Sequence, residues 1–430
     1  MSTVLSDPFI TSLAAAPLPA CPQPTPIPPL AEVVGATAHV PLCSGGSVRY
    51  VNLDYAASAP ALAAVAGAVQ AALGQYASVH RGAGHHSQVT TVRYESARES
   101  VRAFVRGRID DAVVFTRGTT DAINLAARAT RGDVVVLDIE HHANLLPWTA
   151  RERTGGSRVV RARSTIEGTL AALEAELAAA PAALLAVTAA SNVTGEVLPI
   201  GRLAALAHRH GARILVDAAQ LVAHRPVSMV SHGIDYLVFS GHKLYAPFGA
   251  GVLIGRADWL DAADPYLAGG GASAAVTLDD AASASVEWRS GAARHEAGSP
   301  NVLGAIAIAA ACEALAGIGF ETIGTHEAEL LGRLDAGLAG IAGVELLRIF
   351  DDSTDRVGIA GFVVDGHAPR EVAEHLSDTA GIGVRDGKFC AHPLLQRLGF
   401  PDGAVRASFG LGTGADDINR LVEALHRLQA

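Results

Sequence analysis

The sequence predicts an α/β protein: a large domain with a mostly parallel sheet between helices, then a smaller α+β C-terminal domain. Three observations point there. From Tyr50 onward, short runs rich in Val, Ile and Leu alternate with alanine-rich stretches of helical length. Strands that are apolar on both faces and alternate with helices are what a parallel sheet covered on both sides requires. After residue 300 the pattern changes to one long helical region and then shorter, mixed elements. At 430 residues the chain also exceeds the usual size of one domain.

Taken in order, residues 1–45 read as a disordered tail. Pro17, Pro19, Pro22, Pro24, Pro26, Pro28 and Pro29 crowd one span, which favours an extended, polyproline-like tether. Ahead of it, Pro8-Phe9-Ile10-Thr11-Ser12-Leu13 is either part of a disordered end or a docking peptide held out for a partner. Residues 46–305 form the large domain, with its first residues free to pack on the small one. Its strands are expected at Ala112–Phe115, Val134–Leu137, Arg158–Arg161, Leu184–Thr188, Ile214–Val216, Tyr236–Phe239 and Gly251–Ile254. Helices are expected near 119–130, 143–154, 168–180 and 199–210. Residues 306–430 form the small domain, entered through a helical region at about 302–340. Its strands are expected at Val344–Arg348, Arg356–Val364 and Gly383–Arg385, with helices near 369–379 and from about 415.

The totals exclude several classes of function. A net charge of −10 and the lack of any basic run argue against a nucleic-acid-binding surface. No apolar stretch long enough for a bilayer escapes interruption by charge, Pro or Gly. The first residues lack the positive start of a signal peptide. Cys21, Cys43, Cys312 and Cys390 are scattered without metal-ligand spacing, and a disulfide framework does not suit a chain of this size. A soluble protein of a reducing, cytoplasmic compartment is the expectation.

In a parallel sheet of this kind ligands bind beyond the carboxyl ends of the strands, so residues that directly follow strands carry the functional argument. Phe115-Thr116-Arg117-Gly118-Thr119-Thr120 ends a strand and opens a helix with two hydroxyls. That is a phosphate site or an ordinary N-cap. Glu140-His141-His142-Ala143-Asn144 follows the next strand, and its histidines suit stacking on a planar ligand, or capping, better than a metal. Ile214-Leu215-Val216-Asp217 ends in a carboxylate that needs a strong partner if buried, with Gln220 three residues on. A protonated ring nitrogen would be such a partner, and a helix N-cap is the competing role. Ser240-Gly241-His242-Lys243 closes the apolar run Tyr236–Phe239. Of 33 basic residues only Lys243 and Lys388 are lysines. A lysine amine can lose its proton and condense with an aldehyde, which arginine cannot do. Phosphate donors, a stacking imidazole, a strand-end carboxylate and a condensing amine together describe a pyridoxal phosphate site.

From about Asn52 to the C-terminus the chain resembles the class V, fold-type I pyridoxal phosphate enzymes, most closely the Suf-type (group II) cysteine desulfurases. The residues that carry the resemblance include Leu53-Asp54-Tyr55-Ala56-Ala57-Ser58-Ala59, Val79-His80-Arg81-Gly82, Arg117-Gly118-Thr119-Thr120, Ser191-Asn192-Val193-Thr194-Gly195 and Ser240-Gly241-His242-Lys243-Leu244-Tyr245. Glu140–Asn144, Glu296-Ala297-Gly298-Ser299-Pro300-Asn301 and Cys390-Ala391-His392-Pro393 complete the set.

The resemblance implies that Lys243 holds the cofactor covalently and Asp217 pairs with its pyridine nitrogen. Gln220 would meet the phenolic oxygen, Asn192 would lie beside the ring, and His141 would stack on it and share in catalysis. Thr119, Thr120, Ser240 and His242 would hold the phosphate. Ser299 matches a position that reaches the other subunit's phosphate, which implies a homodimer. Arg406 would bind the substrate carboxylate, with Arg385 as a second arginine and His80 also on the substrate side. L-Cysteine would become L-alanine, with the sulfur taken as a persulfide on Cys390 and passed to an acceptor protein. That attack needs a thiolate, which Arg385 and Lys388 are placed to favour.

Two departures stand out. Suf-type enzymes commonly carry histidine before this cysteine, where the chain has Lys388-Phe389; that bears on the sulfur acceptor. The tail is atypical too. Some desulfurases of the wider group are loaded into protein shells through extended N-termini, so a shell or scaffold partner and a location inside a shell are further expectations. With Cys390 only structural, the same site would serve a class V aminotransferase or C–S lyase. With the tail as the function, the chain would be a cargo or interaction component of an assembly. A nicotinamide-binding enzyme fits worst, since no G-x-G-x-x-G follows the first strand.

Overall fold

The computed structural model describes residues 26–150, 155–247, 249–280 and 282–429. Buried runs of Val, Leu and Ile form a seven-stranded sheet. Its strands are β1 (Asp111–Thr116), β2 (Val134–Leu137), β3 (Ser157–Val160), β4 (Leu184–Thr188), β5 (Arg213–Asp217), β6 (Tyr236–Ser240) and β7 (Gly251–Arg256). They lie in the order β1-β7-β6-β5-β4-β2-β3, and only β7 runs antiparallel to its neighbours. Alternate side chains go to opposite layers. Val135, Leu137, Leu185, Val187, Val216 and Phe239 pack in one core, while Val134, Val136, Leu184, Ala186, Leu215 and Val238 pack in the other. This two-sided burial explains why the strands read as continuous apolar runs. Gly251 is required where β7 begins, because a Cβ there would lie 2.5 Å from the Gly118 Cα.

The stretch expected as one helix at 143–154 is instead a tight turn at His142–Asn144 and a one-turn helix at Leu146–Thr149; residues 151–154 lie outside the described residues. Pro147, with no N–H to bond back to a preceding turn, starts the second piece afresh. The region at 302–340 is two helices, Val302–Ile318 and Phe320–Ala339, set at 81° to each other. The break is at Gly319, whose φ of +88° suits glycine. The first of these helices buries Ala307, Ile308, Ala311, Cys312 and Leu315 in the large domain's core. The expected boundary between 305 and 306 therefore lies inside one continuous helix.

The small domain is an antiparallel sheet of β8 (Val344–Leu346), β9 (Ile359–Val364), β10 (Arg385–Gly387) and β11 (Ala404–Ser408), in the order β8-β9-β11-β10. The single strand expected at Gly383–Arg385 is divided. Ile382–Gly383 pairs in parallel with Val51–Asn52, and the chain then switches partners to form β10. Val51 and Leu53 thus join the small domain's core.

Residues 26–45 are not a free tether. Leu30 and Ala31 donate their N–H groups to the Leu411 carbonyl, Val33 is buried, and His39–Pro41 pairs with Ser47–Arg49. The physical reason is that Val33 is buried in the large core and Leu30 and Ala31 pack against it, while Glu32 and Val34 stay exposed. The apolar patch at 8–13 lies outside the described residues.

An ion network ties the domains together. Glu327, 3% exposed, accepts from His224 and Arg225 of the large domain and from the Gly358 N–H. Its carboxyl is held below the ordinary value: burial pushes it up, but the His224 and Arg225 charges and hydrogen bonds outweigh that. Glu327→Ala leaves the Gly358 N–H without its acceptor and Arg225 with only Asp355 and the His224 and Arg356 carbonyls, and should lower stability by about 2–3 kcal/mol, measured by denaturant unfolding.

Candidate active site

The carboxyl ends of the parallel strands and the loop after β10 enclose a cavity of about 270 Å³. Twelve of the fourteen residues singled out in the sequence line it: Thr119, Thr120, His141, Asn192, Asp217, Gln220, Ser240, His242, Lys243, Arg385, Cys390 and Arg406. They come from positions 119 to 406; strand-end placement gathers those of the large domain, and the small domain brings Arg385, Cys390 and Arg406.

At the end of β5, Asp217 is 5% exposed and its carboxylate accepts one bond, from the Ala219 N–H at 3.0 Å. Burial raises its pKa, against the opposing pull of that N–H and of Lys243. A buried carboxylate with so little compensation calls for a cation. Lys243 stands in the turn Gly241–Lys243 that follows β6. Burial pushes its amine down to about 8, with Asp217 resisting and Arg406 assisting. An amine in that range is available as a nucleophile near neutral pH.

The anion-binding end is built where β1 passes into the eleven-residue helix Thr119–Ala129. The Thr119 N–H and hydroxyl both meet the Ser240 hydroxyl at 2.7 Å. Free N–H groups at a helix start and three hydroxyls suit a phosphate. His242 borders the same cavity, with its imidazole pushed down to about 4 by burial and by Lys243, so it serves as a neutral group.

His141 caps the turn His142–Asn144 by accepting the Ala143 N–H at Nδ1, 3.0 Å away. Burial, with help from the Lys243 charge, lowers its pKa to about 3, so the ring is neutral and fit to stack. A buried chain steadies it: Glu140 accepts from Asn144 and from the Thr188 N–H, and Asn144 accepts from Trp148. Burial pushes the Glu140 carboxyl up to about 8. Gln220 spends one amide hydrogen on the Ala56 carbonyl at 2.9 Å. Asn192 uses its amide on the Phe389 carbonyl at 2.8 Å. It therefore steadies the cysteine loop while also lining the cavity.

The small domain supplies the cationic wall. Arg385 on β10 stands directly opposite Arg406 on β11. Like charges placed opposite each other destabilise a sheet unless an anion joins them. Part of that anion is Asp54, whose carboxylate accepts from Arg406 at 3.0 Å. Arg406 is 3% exposed and also donates to the Asn192 carbonyl at 2.9 Å, while its Nε is buried without a partner among the described residues. A carboxylate brought in by a substrate would complete this wall. Asp54 lies in a motif that the sequence marked without giving it a role; only the tertiary contact with Arg406 reveals it. Of the described cysteines, Cys390 lines the cavity, Cys312 is buried in the helix Val302–Ile318, and Cys43 is exposed in the N-terminal hairpin.

Two expected residues are elsewhere. His80 pairs with Glu95 at 3.0 Å, and Ser299 lines a separate hollow beside Tyr76–Arg81. The two regions are linked, since Arg81 donates to the carbonyls of Gly270 and Gly298 at 2.8 Å each. Within the chain, then, neither His80 nor Ser299 lines the Lys243 cavity. His80 is held out by its place on the loop before the helix His85–Phe104.

The donor set fits pyridoxal 5′-phosphate. The helix start and hydroxyls suit its phosphate, Asp217 suits a protonated ring nitrogen, and Lys243 suits its aldehyde.

Residues 51–421 match the family described as Aminotransferase class-V. A cysteine desulfurase of Dickeya dadantii is 37% identical over 370 residues, which is 83% of this chain and 86% of that protein. The apo structure of a cysteine desulfurase from Thermococcus onnurineus NA1 is similar, with a TM-score of 0.81 at 32% identity over 88% of this chain and 94% of that one. The cysteine desulfurase CsdA of Escherichia coli, in its S-sulfonic acid form, gives 0.78 at 33% identity with the same coverage.

Proposed function

The chain belongs to the class-V aminotransferase family, and on that premise we propose that it is a cysteine desulfurase, converting L-cysteine to L-alanine and holding the sulfur as a persulfide on Cys390. One observation carries this reading: Cys390 shares a single cavity with Lys243, Asp217 and Arg406. The cofactor is pyridoxal 5′-phosphate, which when bound supplies an electron sink for chemistry at the substrate Cα.

The residues divide the remaining work. Arg406 and Arg385 take the substrate carboxylate and fix the amino acid's orientation. Asp217 supplies negative charge beneath the cavity. Lys243, neutral in part of the population near pH 7, can take and return a proton at Nζ. The Cys390 thiolate attacks the substrate sulfur. An S–S bond forms and the substrate Cβ–S bond breaks, its electron pair staying on carbon, which takes up a proton to give alanine. Atoms and electrons balance without an external oxidant or reductant.

Mass spectrometry of the Cys390 peptide after L-cysteine is the test. The wild-type peptide should gain one sulfur atom, removable by a thiol reductant, alongside alanine. Sulfide released with pyruvate and ammonia, and with neither alanine nor a persulfide at Cys390, would overturn the reading in favour of a C–S lyase.

Finer assignments belong to the same reading. Membership of the Suf-type subgroup is supported by the motifs quoted above. A homodimer is supported by the joint displacement of Ser299 and His80 from their own protomer's cavity, which leaves them available to a second copy's site. An acceptor protein would meet exposed Cys390 beside the exposed side chains of Lys388 and His392. A cytoplasmic location, a shell partner and a role for the tail are supported by sequence alone.

A further inference from the structure

Phe389 and Cys390 are consecutive non-glycine residues with φ of +52° and +53°. The left-handed region is disfavoured for residues with a Cβ, so contacts around the loop must hold it there. Three do. The Asn192 side-chain amide donates to the Phe389 carbonyl at 2.8 Å, and the His142 N–H donates to the Cys390 carbonyl at 2.8 Å. The Ala391 N–H closes the turn on the Lys388 carbonyl at 2.9 Å.

The Phe389 ring does something different from its backbone. It is 7% exposed, lines the cavity, and lies with its centroid 5.1 Å from the Arg406 guanidinium carbon. Arg406 has one carboxylate partner, Asp54, and burial pushes its pKa down. An aromatic face beside a desolvated guanidinium replaces part of its lost solvation and restrains its plane. Asn192 closes the circuit, because its carbonyl accepts from Arg406 while its amide holds Phe389.

We propose that Phe389 is a positioning residue that couples the carboxylate site at Arg406 to the placement of Cys390. Its ring orients the guanidinium, and its clamped backbone sets where the thiol stands. The kinetic part of this proposal rests on the desulfurase reading. The binding and alkylation parts do not.

The test is a series in the holoenzyme: Phe389→Tyr, Phe389→Leu and Phe389→Ala. Leucine keeps an apolar filler and removes the aromatic face; tyrosine keeps the face. Three quantities are read: the Kd of L-alanine from the cofactor's absorbance, the rate of Cys390 alkylation by iodoacetamide, and KM and kcat for L-cysteine. Phe389→Tyr should stay within about twofold of wild type in Kd, and Phe389→Leu should weaken it about tenfold. KM for L-cysteine should follow Kd, with kcat changing less. Phe389→Ala keeps the three backbone hydrogen bonds but removes the buried ring packed beside Arg406, and should also alter the alkylation rate several-fold as that packing is lost. A Phe389→Leu protein with the wild-type Kd, or a Phe389→Ala protein with the wild-type alkylation rate, overturns the proposal even if persulfide forms. The expected Kd and alkylation changes uphold it even if the wild type makes no persulfide, an outcome that would sink only the desulfurase reading.

Discussion

Lys243→Ala should lower turnover of L-cysteine by on the order of 10⁴-fold. The other lysine, Lys388, is exposed on the cysteine loop and does not line the cavity, so no second lysine can take over. Arg406 and Arg385 do line it, but a guanidinium neither condenses with an aldehyde nor shuttles protons near neutrality. The environment of Lys243 makes the effect large. With its pKa lowered to about 8 by burial, about a tenth of the amine is neutral at pH 7, against fewer than about one in a thousand for an unperturbed lysine. Amine labelling of the cofactor-free protein, with exposed Lys388 as internal reference, should show Lys243 reactivity levelling off above pH 8. The linkage sign agrees: the unfolded chain binds the extra proton between about 8 and 10.4, so stability of the cofactor-free protein should rise with pH across that window. Lys243→Ala should lack that rise. Turnover above about one hundredth of wild type, or reactivity climbing tenfold per pH unit up to pH 10, would contradict this account.

Much of the site was legible because a parallel sheet sends each strand's carboxyl end to one edge. Asp217, Ser240 and Lys243 needed only the apolar runs before them to be placed there, and Thr119 needed only a strand followed by a helix start. What stayed hidden depends on pairings between distant segments. The Arg385–Arg406 opposition is a matter of strand register, and the partners Asp54 and Asn192 come from parts of the chain far from both arginines. The aromatic contact of Phe389 was invisible for the same reason. Helix breaks were also hard to locate. Gly317 and Gly319 flank Ile318 in one alanine-rich run, yet the first is helical and the second adopts positive φ and turns the chain. Leu30, Ala31 and Val33 pack inward, but with Glu32 among them and prolines just before them they gave too short a signal to read.

Cys390→Ala should still bind L-cysteine but form no persulfide, with alanine formation falling by at least about 100-fold. The substitution isolates the thiol: alanine keeps the Cβ, so the cost of the +53° φ is unchanged, and the Cys390 carbonyl keeps its bond to the His142 N–H. The other described thiols cannot substitute. Cys312 is 1% exposed in the large domain's core, with its thiol pushed far up by burial. Cys43 sits in the N-terminal hairpin, where its N–H bonds to the Asp378 carbonyl, and it does not line the cavity. Without a thiolate at 390 the substrate Cβ–S bond can break only by expelling hydrosulfide, a different reaction whose unsaturated three-carbon product hydrolyses to pyruvate and ammonia in place of alanine. Cys390→Ser sharpens the comparison, since a hydroxyl of similar size is protonated at neutral pH and a far weaker nucleophile towards sulfur. If both variants release sulfur at the wild-type rate, the thiol is structural and the shared cavity serves lyase chemistry. If both retain cofactor and substrate binding but lose persulfide and alanine together, sulfur transfer is assigned to Cys390 itself.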